Sequence, residues 1–166
     1  MNDRMTTAPI LCTQRCVLEG VTDDDLFVLQ QFTDDDLFVR FIPELYDVFR
    51  SKQSILQFKR NFEVYSQNDD GALWGINVDS VLIGFIAIID LSFDPVLFYA
   101  ILPQYRSQGY AKEGVATVVS YIKKLYPDVR LHSEVFLDNV TSLSLLKSCG
   151  FREVSKEENK IMLELL

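Results

Sequence analysis

Hydrophobic residues along this chain recur in two rhythms. Ile55, Phe58, Phe62 and Tyr65 fall on one face of an amphipathic helix, which the polar stretch 66–71 closes. Val115, Val118, Val119, Ile122 and Leu125 repeat that spacing up to Pro127, predicting a second helix. A shorter helix over 139–148 is stopped by Cys149-Gly150. The other rhythm is that of strands. Residues 72–78 and 81–90 predict a hairpin turning at Asp79-Ser80, and the second of these strands is apolar almost throughout, as for a central strand covered on both faces. Further strands are predicted at 13–19, 96–102, 130–137, 151–155 and 160–165.

The heptapeptide TDDDLFV occurs twice, at 22–28 and 33–39. Two copies do not make a solenoid. A threonine N-cap with acidic residues in the first turn suits the positive end of a helix, so two successive helix starts with similar capping are expected. A metal-binding carboxylate cluster, for which no EF-hand glycine or terminal Glu spacing follows, is the other reading. Pro43 is expected to end that helical segment. The resulting order is β-α-α-β-β-β-α-β-α-β-β. A run of antiparallel strands leads into a β-α-β unit, which implies an α/β (α+β) fold with a mixed sheet covered by helices. No linker or low-complexity stretch divides residues 1–166, so one domain is expected.

Net charge is −8, and no Lys/Arg cluster is large enough for a nucleic-acid surface. The acidity serves solubility or favours a cationic partner. Three cysteines, Cys12, Cys16 and Cys149, argue against a disulfide framework, and a single histidine, His132, argues against a zinc site. The first residues lack the long apolar run of a secretory signal, and the longest apolar run, 81–89, is too short for a bilayer. A cytoplasmic protein without membrane contact is expected.

The segment 99–113, YAILPQYRSQGYAKE, carries the candidate chemistry. A strand ends at Pro103, a short loop carries Arg106 and Gly109, and a helix begins near Ala111. Such a junction aims several backbone N–H groups at one spot, where the helix dipole adds positive potential. Gly109 permits close approach of the backbone, and Ala111 leaves room for a ligand. The junction is neither a Walker loop nor a dinucleotide fingerprint. A plain strand-to-helix turn is the other reading.

Arg106-Ser107-Gln108-Gly109-Tyr110-Ala111 resembles the R/Q-x-x-G-x-G/A signature of the GNAT acetyltransferases. Thr13-Gln14-Arg15-Cys16-Val17-Leu18 is similar to the T-x-R-L-x-L opening of the ribosomal-protein N-acetyltransferase branch. Asn139, Ser142, Leu145 and Gly150-Phe151 resemble that branch's ending. The resemblance runs in order from Thr13 to Phe151. It implies a mostly antiparallel mixed sheet with a splayed parallel strand pair, here 96–102 and 130–137, and acetyl-CoA lying in the gap.

The resemblance further implies that Ile101 and Leu102 offer backbone to the pantetheine arm, with one N–H polarising the thioester. The N–H groups of Arg106, Ser107, Gln108, Gly109, Tyr110 and Ala111 would hold the pyrophosphate. Asn139 would contact the cofactor arm, cap the last helix, or do both. Glu134 stands at the spacing of a glutamate base before Asn139. Strand alternation puts it on one face with His132 and Phe136. That face lines either the cleft or a helix layer. Leu146 occupies the position of the tyrosine acid of one subfamily, while Ser142 matches a serine given that role in the ribosomal branch; a helix-surface serine is its other reading. Tyr105 and Tyr110 remain unplaced as acids. Glu19 stands where the family commonly has arginine. The implied reaction is direct acetyl transfer to a primary amine, on a small molecule or a peptide N-terminus, by a monomer or homodimer needing no metal. A non-catalytic CoA-binding domain of the same fold, or an α/β domain that binds no CoA, are the alternatives.

Overall fold

The computed structural model describes residues 8–166. The start of the expected non-secretory N-terminus, residues 1–7, lies outside the described residues. In chain order the strands are β1 (Leu11–Cys12), β2 (Val17–Gly20), β3 (Ala72–Val78), β4 (Val81–Ile89), β5 (Val96–Ile101), β6 (Leu131–Phe136), β7 (Arg152–Glu157) and β8 (Lys160–Leu165). The helices are α1 (Leu26–Gln30), α2 (Asp36–Phe41), α3 (Tyr46–Phe49), α4 (Lys52–Gln67), α5 (Tyr110–Leu125) and α6 (Val140–Ser148). All eight strands form one sheet in the order β1-β2-β3-β4-β5-β6-β8-β7, antiparallel except for β5 beside β6.

The sheet divides the core into two layers. On one face α5 and α6 send Val115, Val118, Ile122 and Leu146 against Trp74, Ile86, Ile88 and Leu97. On the other, α2, α3 and α4 pack Phe38, Phe49 and Phe62, and the 3-10 turn Gln31–Asp34 packs Phe32, against Leu73, Phe85 and Ala87. Strand β4 feeds both layers, which is why it reads as an unbroken apolar run. At its centre Gly84 is required, because a Cβ there would lie 2.4 Å from the Ala100 carbonyl oxygen of β5. The β3–β4 hairpin turns at Asp79 and Ser80, both at positive φ (50° and 66°), the geometry that matches strand twist.

Two local expectations change. The strand predicted over 13–19 is broken by a turn at 13–16. The Cys16 N–H donates to Thr13 Oγ1 at 2.8 Å and the Thr13 N–H to the Cys16 carbonyl at 2.9 Å, so β1 ends at Cys12 and β2 starts at Val17. The two copies of TDDDLFV also do not start helices alike. In the first, the Asp25 carboxylate accepts the Thr22 N–H at 2.8 Å. In the second, Asp35 rather than Thr33 is the N-cap of α2, accepting the Leu37 N–H at 3.2 Å, while Thr33 donates to the Gln30 carbonyl at 2.8 Å. Pro43 opens a 3-10 turn, Pro43–Leu45, just beyond α2. No helix among the described residues is long and apolar enough to cross a membrane.

Candidate active site

Strands β5 and β6 pair at only one position, Val96 opposite His132. There the His132 N–H donates to the Pro95 carbonyl at 2.8 Å and Ser133 Oγ to the Leu97 carbonyl at 2.9 Å. Past Leu97 the strands part, while β5 stays paired with β4 as far as Ile101. Antiparallel pairing points alternate residues' main-chain groups at the same neighbour. The Leu102 N–H donates to the Ile83 carbonyl at 2.8 Å, so the groups of Tyr99 and Ile101 face the gap instead. The Leu102 carbonyl also accepts the Tyr105 N–H at 3.0 Å. Leu102 is therefore committed on both sides, and the backbone contact expected of Ile101 and Leu102 together falls to Ile101.

At the open end of the gap, the 3-10 turn Pro103–Tyr105 leads into α5. The Arg106 N–H donates back to the Pro103 carbonyl at 3.3 Å, and the Glu113 N–H donates to the Gly109 carbonyl at 3.1 Å. From Ser107 to Lys112 no backbone N–H has a main-chain acceptor among the described residues. Free donors thus begin at Ser107, one residue later than the sequence suggested. Ser107 (φ 62°) and Gly109 (φ 84°) are both left-handed, the alternation that gathers N–H groups into an anion-binding concavity. Ser107, Gln108 and Gly109 are exposed, so that concavity is open. The donor set fits the diphosphate and amide groups of acetyl-CoA.

The Arg106 side chain turns away from this loop. Its guanidinium pairs with the buried carboxylate of Asp35, with Nη1 donating to Oδ1 at 3.2 Å, and so ties the loop to the start of α2. Arg15 braces the other side. Its Nη2 donates to the Gln108 carbonyl at 2.9 Å, its Nε to Glu113 Oε2 at 2.9 Å, and its guanidinium lies 4.3 Å from the centre of the Tyr110 ring. Glu113 also accepts from Thr13 Oγ1 and from the Arg15 N–H, both at 2.6 Å. Burial opposes the Glu113 charge, but the bonds from Thr13 and Arg15 outweigh it and hold the carboxyl below its usual range. Sequence reading paired Thr13 with Arg15 but missed Glu113, whose only signal is an acidic residue in the first turn of a helix.

Asn139 caps α6, its Oδ1 accepting the Ser142 N–H at 3.3 Å. The Ser142 hydroxyl meets the Tyr99 hydroxyl at 2.7 Å, joining β5 to α6. Burial pushes the Tyr99 phenol up to about 12, against the opposing effect of that bond. Tyr99 was not singled out in the sequence; its signal is its place two residues before Ile101 on the strand that flanks the gap. Leu146 is fully buried. Burial also raises the Cys149 thiol, against the thiolate form that a nucleophile needs.

On the opposite face of the sheet, a cavity of about 360 Å³ opens between α4 and β5. Glu134 and Phe136 line it, so this face of β6 meets a cleft. His132 does not. It is held between Asp94, 2.8 Å from Nδ1, and Glu164, 2.7 Å from Nε2. The expected convergence of carboxylate and imidazole on one amine therefore reduces to Glu134, whose Oε1 accepts from Lys160 Nζ at 2.8 Å.

Known proteins share this fold. The family described as Acetyltransferase (GNAT) domain matches residues 15–152. An uncharacterized N-acetyltransferase of Bacillus subtilis, YoaA, is 29% identical over 150 residues, covering 87% of this chain and 84% of that protein. Mycobacterium smegmatis RimJ, solved in complex with CoA-disulfide, superposes with a TM-score of 0.81 at 13% identity, over 96% of this chain and 88% of that one. The ribosomal-protein-S5-alanine acetyltransferase of Vibrio fischeri gives 0.82 at 11% identity, over 94% and 95%. These structural likenesses carry the fold, and the family match carries the chemistry: the chain belongs to the GNAT acetyltransferases, enzymes that use acetyl-CoA as acyl donor.

Proposed function

We propose that this chain, as one domain over 1–166, acetylates a primary amine on a peptide N-terminus or a small molecule in the cytoplasm. The observation that carries the reading is the single pairing of β5 with β6, followed by a gap with free donors at its edge and its end. Acetyl-CoA supplies an activated thioester, which an amine attacks directly without a covalent enzyme intermediate. The N–H groups of Ser107 to Ala111 receive the diphosphate. The Ile101 N–H, aimed into the gap, stabilises the oxyanion that develops as the carbonyl is attacked.

The amine comes from the cavity face. It reaches the active site as an ammonium and must lose a proton; an α-amino group has pKa near 8 and a lysine near 10.4, so a base matters more for the second. Glu134 is that base: Oε1 is engaged by Lys160 and Oε2 is left for the ammonium. Ser142 returns a proton to the thiolate, with its hydroxyl held by Tyr99. A ribosomal-protein acetyltransferase among its structural neighbours supports a protein acceptor within this class. The test is release of free thiol from acetyl-CoA against amines and N-terminal peptides, with the product weighed. Amine-dependent release with one acetyl group gained is expected; release independent of every amine removes the reading.

A further inference from the structure

The cavity beside Glu134 has a wall and a charge cluster of different chemistry. The wall is aromatic: Phe58, Phe62 and Tyr65 project from successive turns of α4, and Phe98 faces them from β5. Their rings contact one another, with centroids 4.9 Å apart for Phe58–Phe62, 5.3 Å for Phe62–Tyr65 and 6.5 Å for Phe62–Phe98. Such mutual packing fixes the wall before any ligand arrives. The apolar face of the helix predicted from the sequence is thus partly the lining of a cleft.

The charged side chains of the lining are Glu44, Glu134 and Lys160. Lys160 bonds Glu134, stands 5.0 Å from the centre of the Phe136 ring, and is close enough to Glu44 to feel its charge. Two carboxylates against one ammonium leave this cluster net negative. It suits one cationic head, and its single cation is already engaged.

We infer that the acceptor is an amine with one positive charge, an apolar body of aromatic size, and no carboxylate of its own. The inference rests on the acetyl-transfer reading above and narrows its acceptor. The aromatic wall rewards an apolar body by removing it from water. A free amino acid would bring a carboxylate up to Glu44 and Glu134 with no unengaged cation to receive it. A polyamine would lay further ammonium groups along a wall that has no further carboxylate.

The test compares phenylalaninamide, alaninamide, phenylalanine and spermidine in the thiol-release assay, with calorimetric titration of acetyl-CoA run in parallel. Phenylalaninamide is expected to exceed each of the others in kcat/KM at least tenfold. Glu44 is exposed, so Glu44→Gln can be made without disturbing the core. That variant should raise KM for phenylalaninamide with kcat little changed, and should narrow the gap between phenylalaninamide and phenylalanine. Equal or better use of alaninamide, phenylalanine or spermidine overturns the inference. So does turnover of none of the four while acetyl-CoA still binds, or an unchanged amide-to-acid ratio in Glu44→Gln. Failure of acetyl-CoA to bind at all removes the underlying reading instead.

Discussion

Arg15 and Glu113 meet twice: the Arg15 N–H donates to one carboxylate oxygen at 2.6 Å and Nε to the other at 2.9 Å. The pair locks the turn before β2 to the first turn of α5, beside the loop of free N–H groups that Arg15 also braces at the Gln108 carbonyl. Replacing Glu113 with Ala leaves three donors without their acceptor and should cost roughly 1–2 kcal/mol. Solvent around the half-exposed Arg15 screens the charge part of that cost. Because the Glu113 carboxyl is held below its ordinary 4.5, its contribution is complete above that pH and is lost as pH falls through the lowered value. Thermal melts from pH 7 down to 3 should show a shallower acid loss in Glu113→Gln than in the wild type, and weaker acetyl-CoA binding at pH 7.

Tyr99 and Ser142 form a hydroxyl pair between β5 and α6. If Ser142 delivers the proton to the thiolate, Ser142→Ala lowers kcat roughly 10²-fold with little change in acetyl-CoA affinity, because proton transfer is worth about 10²-fold or more where it is needed. Stopped assays with one good amine measure this. Tyr99→Phe should lower kcat less, since the serine hydroxyl remains.

Tyr99 also predicts an alkaline signature. Its phenol is raised to about 12 in the folded chain, so its stabilising effect is complete below about 10 and is lost as pH rises through 12. The difference in unfolding free energy between wild type and Tyr99→Phe, measured in denaturant from pH 9 to 12, should therefore drift toward the variant by on the order of 2 kcal/mol.

Asp35 does two jobs, capping α2 and pairing with Arg106. Asp35→Asn keeps a capping oxygen and loses the charge, whereas Asp35→Ala loses both. The Ala variant should be destabilised by about 2–4 kcal/mol and the Asn variant by clearly less, read from chemical denaturation.

Glu134→Gln separates the base from the rest of the site. Its carboxylate lies outside the diphosphate loop and the β5 edge, so acetyl-CoA affinity should stay unchanged while kcat/KM falls roughly 10²-fold. The fall should be steeper for a lysine-like amine than for an α-amine, and should shrink as pH is raised toward the amine's own pKa. Rates for both amines from pH 7 to 10 check the prediction.

The elements built from local pattern were legible in the sequence. The β3–β4 hairpin, the unbroken apolar run of β4, and the helices α4 and α5 each announce themselves within one segment. The loop of free N–H groups before α5 was legible too, because Gly109 and a helix start lie together. What the sequence hid were choices made by side chains that meet only after folding. Thr13 folds its hydroxyl back on Cys16 and breaks a predicted strand. Asp35 takes the cap from Thr33 within a repeat whose two copies are identical, and it pairs with Arg106 from 71 residues away. Glu113 and Arg15 are 98 residues apart, and Tyr99 and Ser142 are 43 apart. No periodicity within a strand or helix encodes such pairs. Leu102 shows the same limit on a smaller scale: its main-chain direction depends on the register of β4 against β5.

The most direct measurement is a crystal structure of the chain grown with acetyl-CoA. The diphosphate is expected on the N–H groups of Ser107 to Ala111, with the thioester oxygen within hydrogen-bond reach of the Ile101 N–H. A cofactor bound elsewhere, or one lying in the gap with its thioester turned away from Ile101, would contradict the account of how this fold transfers an acetyl group.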